Sequence, residues 1–345
     1  MMKLCLCIKE ELGKVLFFKN GLIVILISFI IHMVICIASA PEMQRYTFDT
    51  EIYKYYTVEF GGVYSENTQE KIDSEMKIQQ KIASEQLKSD VMSSDEYIEH
   101  VNRTAVAAQK LSALEAIQEK YSFIKKLSKY DAELTYDIEF TEYCRKFRQD
   151  WIALVCIAIL TISVVFGDIR CGMDKLLYSS KMGRNRILKS KLWAIGIISL
   201  IIPTLFSLVQ IIIISGRWEF GSLDAPIQSF TGFDNCKLQI TARQGLVLGI
   251  VFKSVFSMVA ALLLVLISSI TKNEIISIST LTIVLAIGNA NYSDRKMLPV
   301  NLSVYLSGIN ALMNEIISQH VFLTFVCAIF FLIAESFVAF TIQRK

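Results

Sequence analysis

The residues best placed to engage a chemical partner lie between the second and third long apolar runs of this chain. They read Gly167-Asp168-Ile169-Arg170-Cys171-Gly172, then Asp174-Lys175-Leu176-Leu177, then Ser179-Ser180-Lys181-Met182-Gly183-Arg184, and end at Lys191. Seven Lys or Arg against two Asp occupy the 24 residues from Asp168 to Lys191. Such a segment offers charge and an apolar pair to a soluble partner. Gly167-x4-Gly172 has the outline of a phosphate loop, yet Met173 and Asp174 stand where Lys and Ser or Thr must reach the phosphates and the metal. On this reading the chain binds no ATP by itself. Neither HExxH, GxSxG nor Cys-x-x-Cys occurs, and Cys5-x-Cys7 is too short for a metal site without other ligands. Among the three His, His100 and His320 have no nucleophile pattern beside them. No metal, no cofactor and no enzymatic activity of the chain itself is expected.

The elements that position this segment are membrane spans. The chain is 53% hydrophobic with 4 Pro in 345 residues, and the apolar residues are clumped. Crossing about 30 Å of hydrocarbon takes roughly 17–25 residues. Runs of that kind occur at 21–40, 151–167, 192–215, 245–270 and 321–342, and a shorter uncharged one at 275–290. The expected fold class is therefore all-α: a polytopic membrane protein with six transmembrane helices and a helical-hairpin extracytoplasmic domain between spans one and two. The first run is too long for a signal-peptide core, so it is expected to be retained as a span.

Lys and Arg set the orientation. With the N-terminus inside, the segments 1–20, 168–191, 271–274 and 343–345 hold 14 basic residues in 51 positions, against 5 in 59 for 216–244 and 291–320. Both termini are expected in the cytoplasm, in the plasma membrane. Trp151, Trp193 and Trp218 each fall at an expected span end, and Lys253 is placed to reach the outer headgroups. Basic inner flanks suit anionic lipid; nucleic acid is not an expected partner.

Segment 41–150 carries 15 basic and 21 acidic residues. Asn67-Thr68-Gln69-Glu70 and Ser93-Ser94-Asp95-Glu96 each offer a capping box. Ile72, Met76, Ala83, Leu87 and Val91 behind the first, and Leu111, Leu114, Ile117, Tyr121 and Ile124 behind the second, keep helical spacing. An antiparallel helical pair follows, serving as a solvated spacer or as a docking surface for a cationic or amphipathic substrate. Of eight Cys, only Cys144 and Cys236 are expected to share the outer side, and whether they pair stays open. In 291–320, Leu302, Leu306, Ile309, Leu312, Met313 and Ile316 suggest a helix dipping into the outer leaflet.

Ionisable groups inside spans are costly and face protein or a cavity. His32 near the middle of span one and Glu335 in span six are the two candidates, with a structural hydrogen bond or ion pair as the plainer role for each. Span five is dense in hydroxyls, including Ser277 and Thr280, which suits the lining of a polar path.

Taken together, these features resemble the permease half of an ATP-binding-cassette exporter of the second type, the type V fold. The resemblance rests on six spans with both ends inside, a large outer domain after span one and an apolar dip before span six. Its sharpest local part is Asp168-x3-Gly172-x3-Leu176-Leu177, followed by Ser179-x-Lys181-x-Gly183-Arg184. Asp replaces the commoner Glu, and the Pro often found before the Arg is absent. The resemblance implies that Cys171–Met182 is a coupling helix whose Leu176 and Leu177 dock on a separate ATPase subunit, which holds the ATPase activity. It implies that Asp168, Gly172, Lys181, Gly183 and Arg184 shape that contact, and that residues 1–20 form an amphipathic connecting helix. It further implies a second permease half, identical or related, and export of a peptide, lipid or drug. A non-transporting mechanotransmission or sensing scaffold driven by the same ATPase is the alternative.

Overall fold

In the computed structural model the chain is described over residues 2–85, 94–170, 172, 181–290 and 302–344. It divides into two units. One comprises Met1–Ser39, Lys146–Arg217 and Leu246–Lys345; the other comprises Ala40–Arg145 and Trp218–Gly245. In chain order the helices are α1 (Met2–Gly13), α2 (Gly21–Ala38), α3 (Thr50–Glu59), α4 (Glu66–Ala83), α5 (Ser94–Lys126), α6 (Ile138–Lys146) and α7 (Trp151–Arg170). They continue with α8 (Lys181–Ser215), α9 (Ala242–Thr271), α10 (Glu274–Ala290), α11 (Leu302–Leu306), α12 (Glu315–Gln319) and α13 (Val321–Arg344).

The first unit is a helical membrane body. Among the described residues, α2, α7, α8, α9 and α13 are the five helices long and apolar enough to cross a bilayer. The protein is thus a predominantly helical, multi-pass membrane protein. Helix α10, at 17 residues, is shorter and equally apolar. The core is built from Val15, Cys156, Leu160 and Val164, with Ile195, Ile202 and Phe206 of α8 and Ala261 and Val265 of α9. Small residues set the closest approaches. A Cβ on Gly21 would lie 2.4 Å from the Val15 carbonyl oxygen, and one on Gly249 would lie 2.5 Å from the backbone nitrogen of Ile309.

The helix expected through Leu302, Leu306, Ile309, Leu312, Met313 and Ile316 is broken into shorter pieces. Gly308, at φ +65°, turns the chain between α11 and a 3-10 turn over Gly308–Met313. Most of 303–312 is buried, and Lys253, expected to reach headgroups, donates its Nζ to the Phe147 carbonyl at 3.1 Å. Because Gly249 meets rigid backbone here, Gly249→Ala should lower stability by about 1–3 kcal/mol. A drop in the thermal midpoint of the purified chain in detergent checks this.

The second unit is a helical cluster tied by one buried carboxylate. Helix α3 is capped by Asp49, whose Oδ1 accepts from the backbone nitrogens of Glu51 and Ile52 at 2.9 and 3.1 Å. Helix α4 starts two residues before its expected box, with Ser65 as cap accepting from Thr68 N at 3.1 Å. The start of α4 lies beside the end of α5: Tyr121 Oη donates to the Ser65 carbonyl at 3.1 Å, and Gln118 donates to Asp73 at 2.9 Å. Ile72, Leu114, Ile117, Tyr121 and Ile124 are fully buried between them with Tyr53 and Tyr56 of α3. A two-residue antiparallel pair, Gly62–Val63 with Glu133–Leu134, closes the base.

Asp137 gathers three segments of this unit. Lys120 Nζ lies 2.7 Å from its Oδ1, the Tyr53 hydroxyl donates at 3.3 Å, and Thr231 donates through N and Oγ1 at 3.0 and 2.5 Å. Burial pulls the Lys120 ammonium below its usual range, with Asp137 opposing; burial and then Asp137 push the Tyr53 phenol up. Cys144 and Cys236 are both buried in this unit, as is Trp218, expected at a lipid interface.

Candidate functional site

The candidate site is a buried charge cluster at the end of α7, where the basic segment leaves the membrane body. Asp168, on the last turn of α7, is 6% exposed. Its Oδ2 lies 2.7 Å from Nζ of Lys191 on α8, and its Oδ1 lies 3.9 Å from Nζ of Lys19. Lys19 also donates to the Ser163 carbonyl at 3.2 Å, so its stem runs along α7 across Gly167, where any Cβ would strike it. Burial pulls the Lys19 ammonium down and Asp168 opposes that pull. A charge removed from water needs partners on all sides, and this carboxylate draws them from two distant stretches of chain.

Local sequence explains how each group arrives. Residues Lys14–Phe18 form a widened helical turn after α1, and Asn20 takes the left-handed conformation at φ 56°, so the chain turns sharply into α2. That turn lays Lys19 on α7 and buries Val15 in the core. Glu11, also buried, holds Lys14 at 2.7 Å. Helix α1 thus packs against α8 by its inner face. Arg170, two residues beyond Asp168, pairs with Glu274 at the head of α10.

The expected coupling residues divide accordingly. Asp168 stands at the centre of the cluster. Gly172 is exposed in the left-handed region at φ +65°, a conformation that favours glycine. Leu176 and Leu177 lie outside the described residues. Lys181, Gly183 and Arg184 form the first turn of α8, and their side chains also lie outside the description.

The intramembrane candidates are placed elsewhere. His32, on α2, points its Nδ1 at Asp150 (3.5 Å) and its Nε2 at the Phe206 carbonyl (3.2 Å), with Cys36 Sγ at 3.7 Å. Asp150 caps α7 by accepting from Ala153 N at 3.0 Å. Glu335 is half-buried on α13; among the described residues its Oε2 has no hydrogen-bond partner. Ser277 donates to the Asn273 carbonyl at 2.6 Å and meets Thr271 Oγ1 at 2.8 Å; Thr280 donates to the Ile276 carbonyl at 2.8 Å. Both α10 hydroxyls are therefore engaged close by in sequence. Among the described residues no group of three His, Cys, Asp or Glu is arranged to hold a metal ion.

Sequence reading overlooked Lys19, Glu11 and Asp150. Asp150 had a local signal, an acidic cap immediately before an apolar run. Lys19 had none, because its partner is 149 positions away and only the turn at Asn20 brings them together. Comparison with family models, with curated proteins and with solved structures finds no match to this chain.

Proposed function

We propose that this chain is the membrane-spanning permease subunit of an ATP-driven exporter of the ATP-binding-cassette class. In this reading α10 is a sixth span and both termini face the cytoplasm across the plasma membrane. The unit built from 40–145 and 218–245 then stands outside the cell. A separate ATPase subunit docks on the basic segment, and a second permease half completes the path for an amphipathic peptide, lipid or drug. The observation that carries the reading is the ion pair of Asp168 with Lys191. It joins the two ends of the 169–190 segment, so force applied to that segment reaches α7 and α8 together, as a rigid-body transmission requires. Helix α1, packed on α8, adds a second lever on the same side.

The test is the double substitution Leu176→Asp with Leu177→Asp, co-expressed with the partner ATPase subunit that this reading requires. Membrane insertion at normal yield with loss of ATPase co-purification is the expected result. A normal amount of bound ATPase would overturn the docking role.

One observation favours the non-transporting scaffold as a second reading. Thr280 and Thr282 donate to the carbonyls of Ile276 and Ile278 at 2.8 and 2.9 Å, which leaves those protons engaged with their own helix instead of a polar path. Substrate flux measured in sealed vesicles with ATP separates the two: hydrolysis without flux supports the scaffold.

A further inference from the structure

Helix α3 buries Tyr53, Tyr56 and Thr57 inside its unit. Its opposite face presents Glu51, Tyr55, Val58 and Glu59, which with Lys54 line an open groove of about 470 Å³. Tyr55 is 63% and Val58 77% exposed, an unusual use of the solvent face of a short polar helix. Glu51 and Glu59 lie on either side of this apolar pair. Neither carboxylate has a hydrogen bond or ion pair among the described residues. The lysine of the groove is paired first with another acid, its Nζ being held by Glu219 at 2.7 Å. Glu139 adds a further acid, and Glu51, Glu139 and Glu219 all act on the same Lys54.

An occupant of this groove must bring positive charge to its two ends and an apolar side chain to its middle. We propose that this face of α3 binds a cationic amphipathic peptide, with cations seated on Glu51 and Glu59 and an apolar residue against Tyr55 and Val58. The two acids are eight residues apart, or ~12 Å along a helix at ~1.5 Å per residue, which matches two basic residues about two turns apart on a helical ligand. A second copy of the chain does not fit, because a two-fold contact would set acid against acid. An anionic lipid surface is repelled for the same reason. The inference rests on the proposed function only for the outward placement of this unit, and it names the substrate class that the unit would collect.

The experiment uses the full chain in discs of zwitterionic phosphatidylcholine, without any ATPase. The probe is a fluorescent synthetic helical peptide of Leu and Lys, followed by anisotropy. Binding well above that of empty discs is expected, with none for a Leu/Glu peptide and little for a Lys/Gln peptide. Two exposed charge contacts together are worth about tenfold in affinity, so E51Q/E59Q should weaken binding by roughly that factor and flatten its salt dependence. Tyr55→Ala should weaken it comparably at unchanged salt dependence. Unaltered affinity in E51Q/E59Q, equal uptake by empty discs, or equal binding of the Leu/Glu peptide would each overturn the proposal. Since no ATPase is present, such a failure leaves the docking test on Leu176 and Leu177 unaffected.

Discussion

Asp168→Ala is expected to be among the most damaging single substitutions in the membrane body. It strands the ammonium of Lys191, which is 6% exposed, and removes the counter-charge of Lys19. Removing one partner of a buried pair costs about 3–5 kcal/mol, because the remaining charge has neither water nor a counter-ion. The purified chain should show a large fall in thermal midpoint and a reduced yield. Removing the stranded charge as well, in Asp168→Ala with Lys191→Met, should recover part of the loss. The difference between the double variant and the sum of the singles measures the coupling of the pair. Additive losses would mean that the two groups do not stabilise one another. Under the proposed function, the double variant should fold yet transmit poorly, since the two ends of the 169–190 segment are no longer joined.

A second large effect is expected at Asp137→Ala, and it should be confined to the other unit. Lys120 would lose its carboxylate in a buried setting, while Tyr53 and Thr231 would lose their acceptor. The expected cost is again about 3–5 kcal/mol. Asp137→Asn keeps an acceptor for the hydroxyl donors and leaves only the lysine unbalanced, so it should lie between wild type and the alanine variant. Limited proteolysis reads the outcome directly. Cleavage within 40–145 and 218–245 should rise sharply while the membrane helices stay protected. Wild-type protection in the alanine variant would show that the carboxylate is not what holds these segments together.

The long helices were legible in the sequence because the bilayer imposes length and apolarity on each one separately. Gly21–Ala38 and Val321–Arg344 follow the apolar runs almost residue for residue. Helix α8 departs from its run by beginning at Lys181, where good helix formers continue the helix past the apolar boundary. Contacts between distant stretches were not legible. The expected helical pair of the acidic segment gave no hint that 218–245 joins it, because Ser229 meeting Glu133 and Thr231 meeting Asp137 depend on folding, not on spacing. The site was half legible. Asp168 stands out as an acid at the end of an apolar run, whereas Lys19 looks like any other basic residue near a membrane face. The break at Gly308 was missed because apolar spacing alone does not register a positive φ.

Arg217 carries a consequence for how this body can deform. Its guanidinium donates to the carbonyls of Cys36, Ile37 and Ser39, capping the end of α2 from the end of α8. At the opposite end the same two stretches are pinned to α7 through Lys19, Lys191 and Asp168. Spans α2 and α8, joined to each other at one end and both pinned to α7 at the other, must tilt together, so any hinge has to be sought along their seams with the remaining helices.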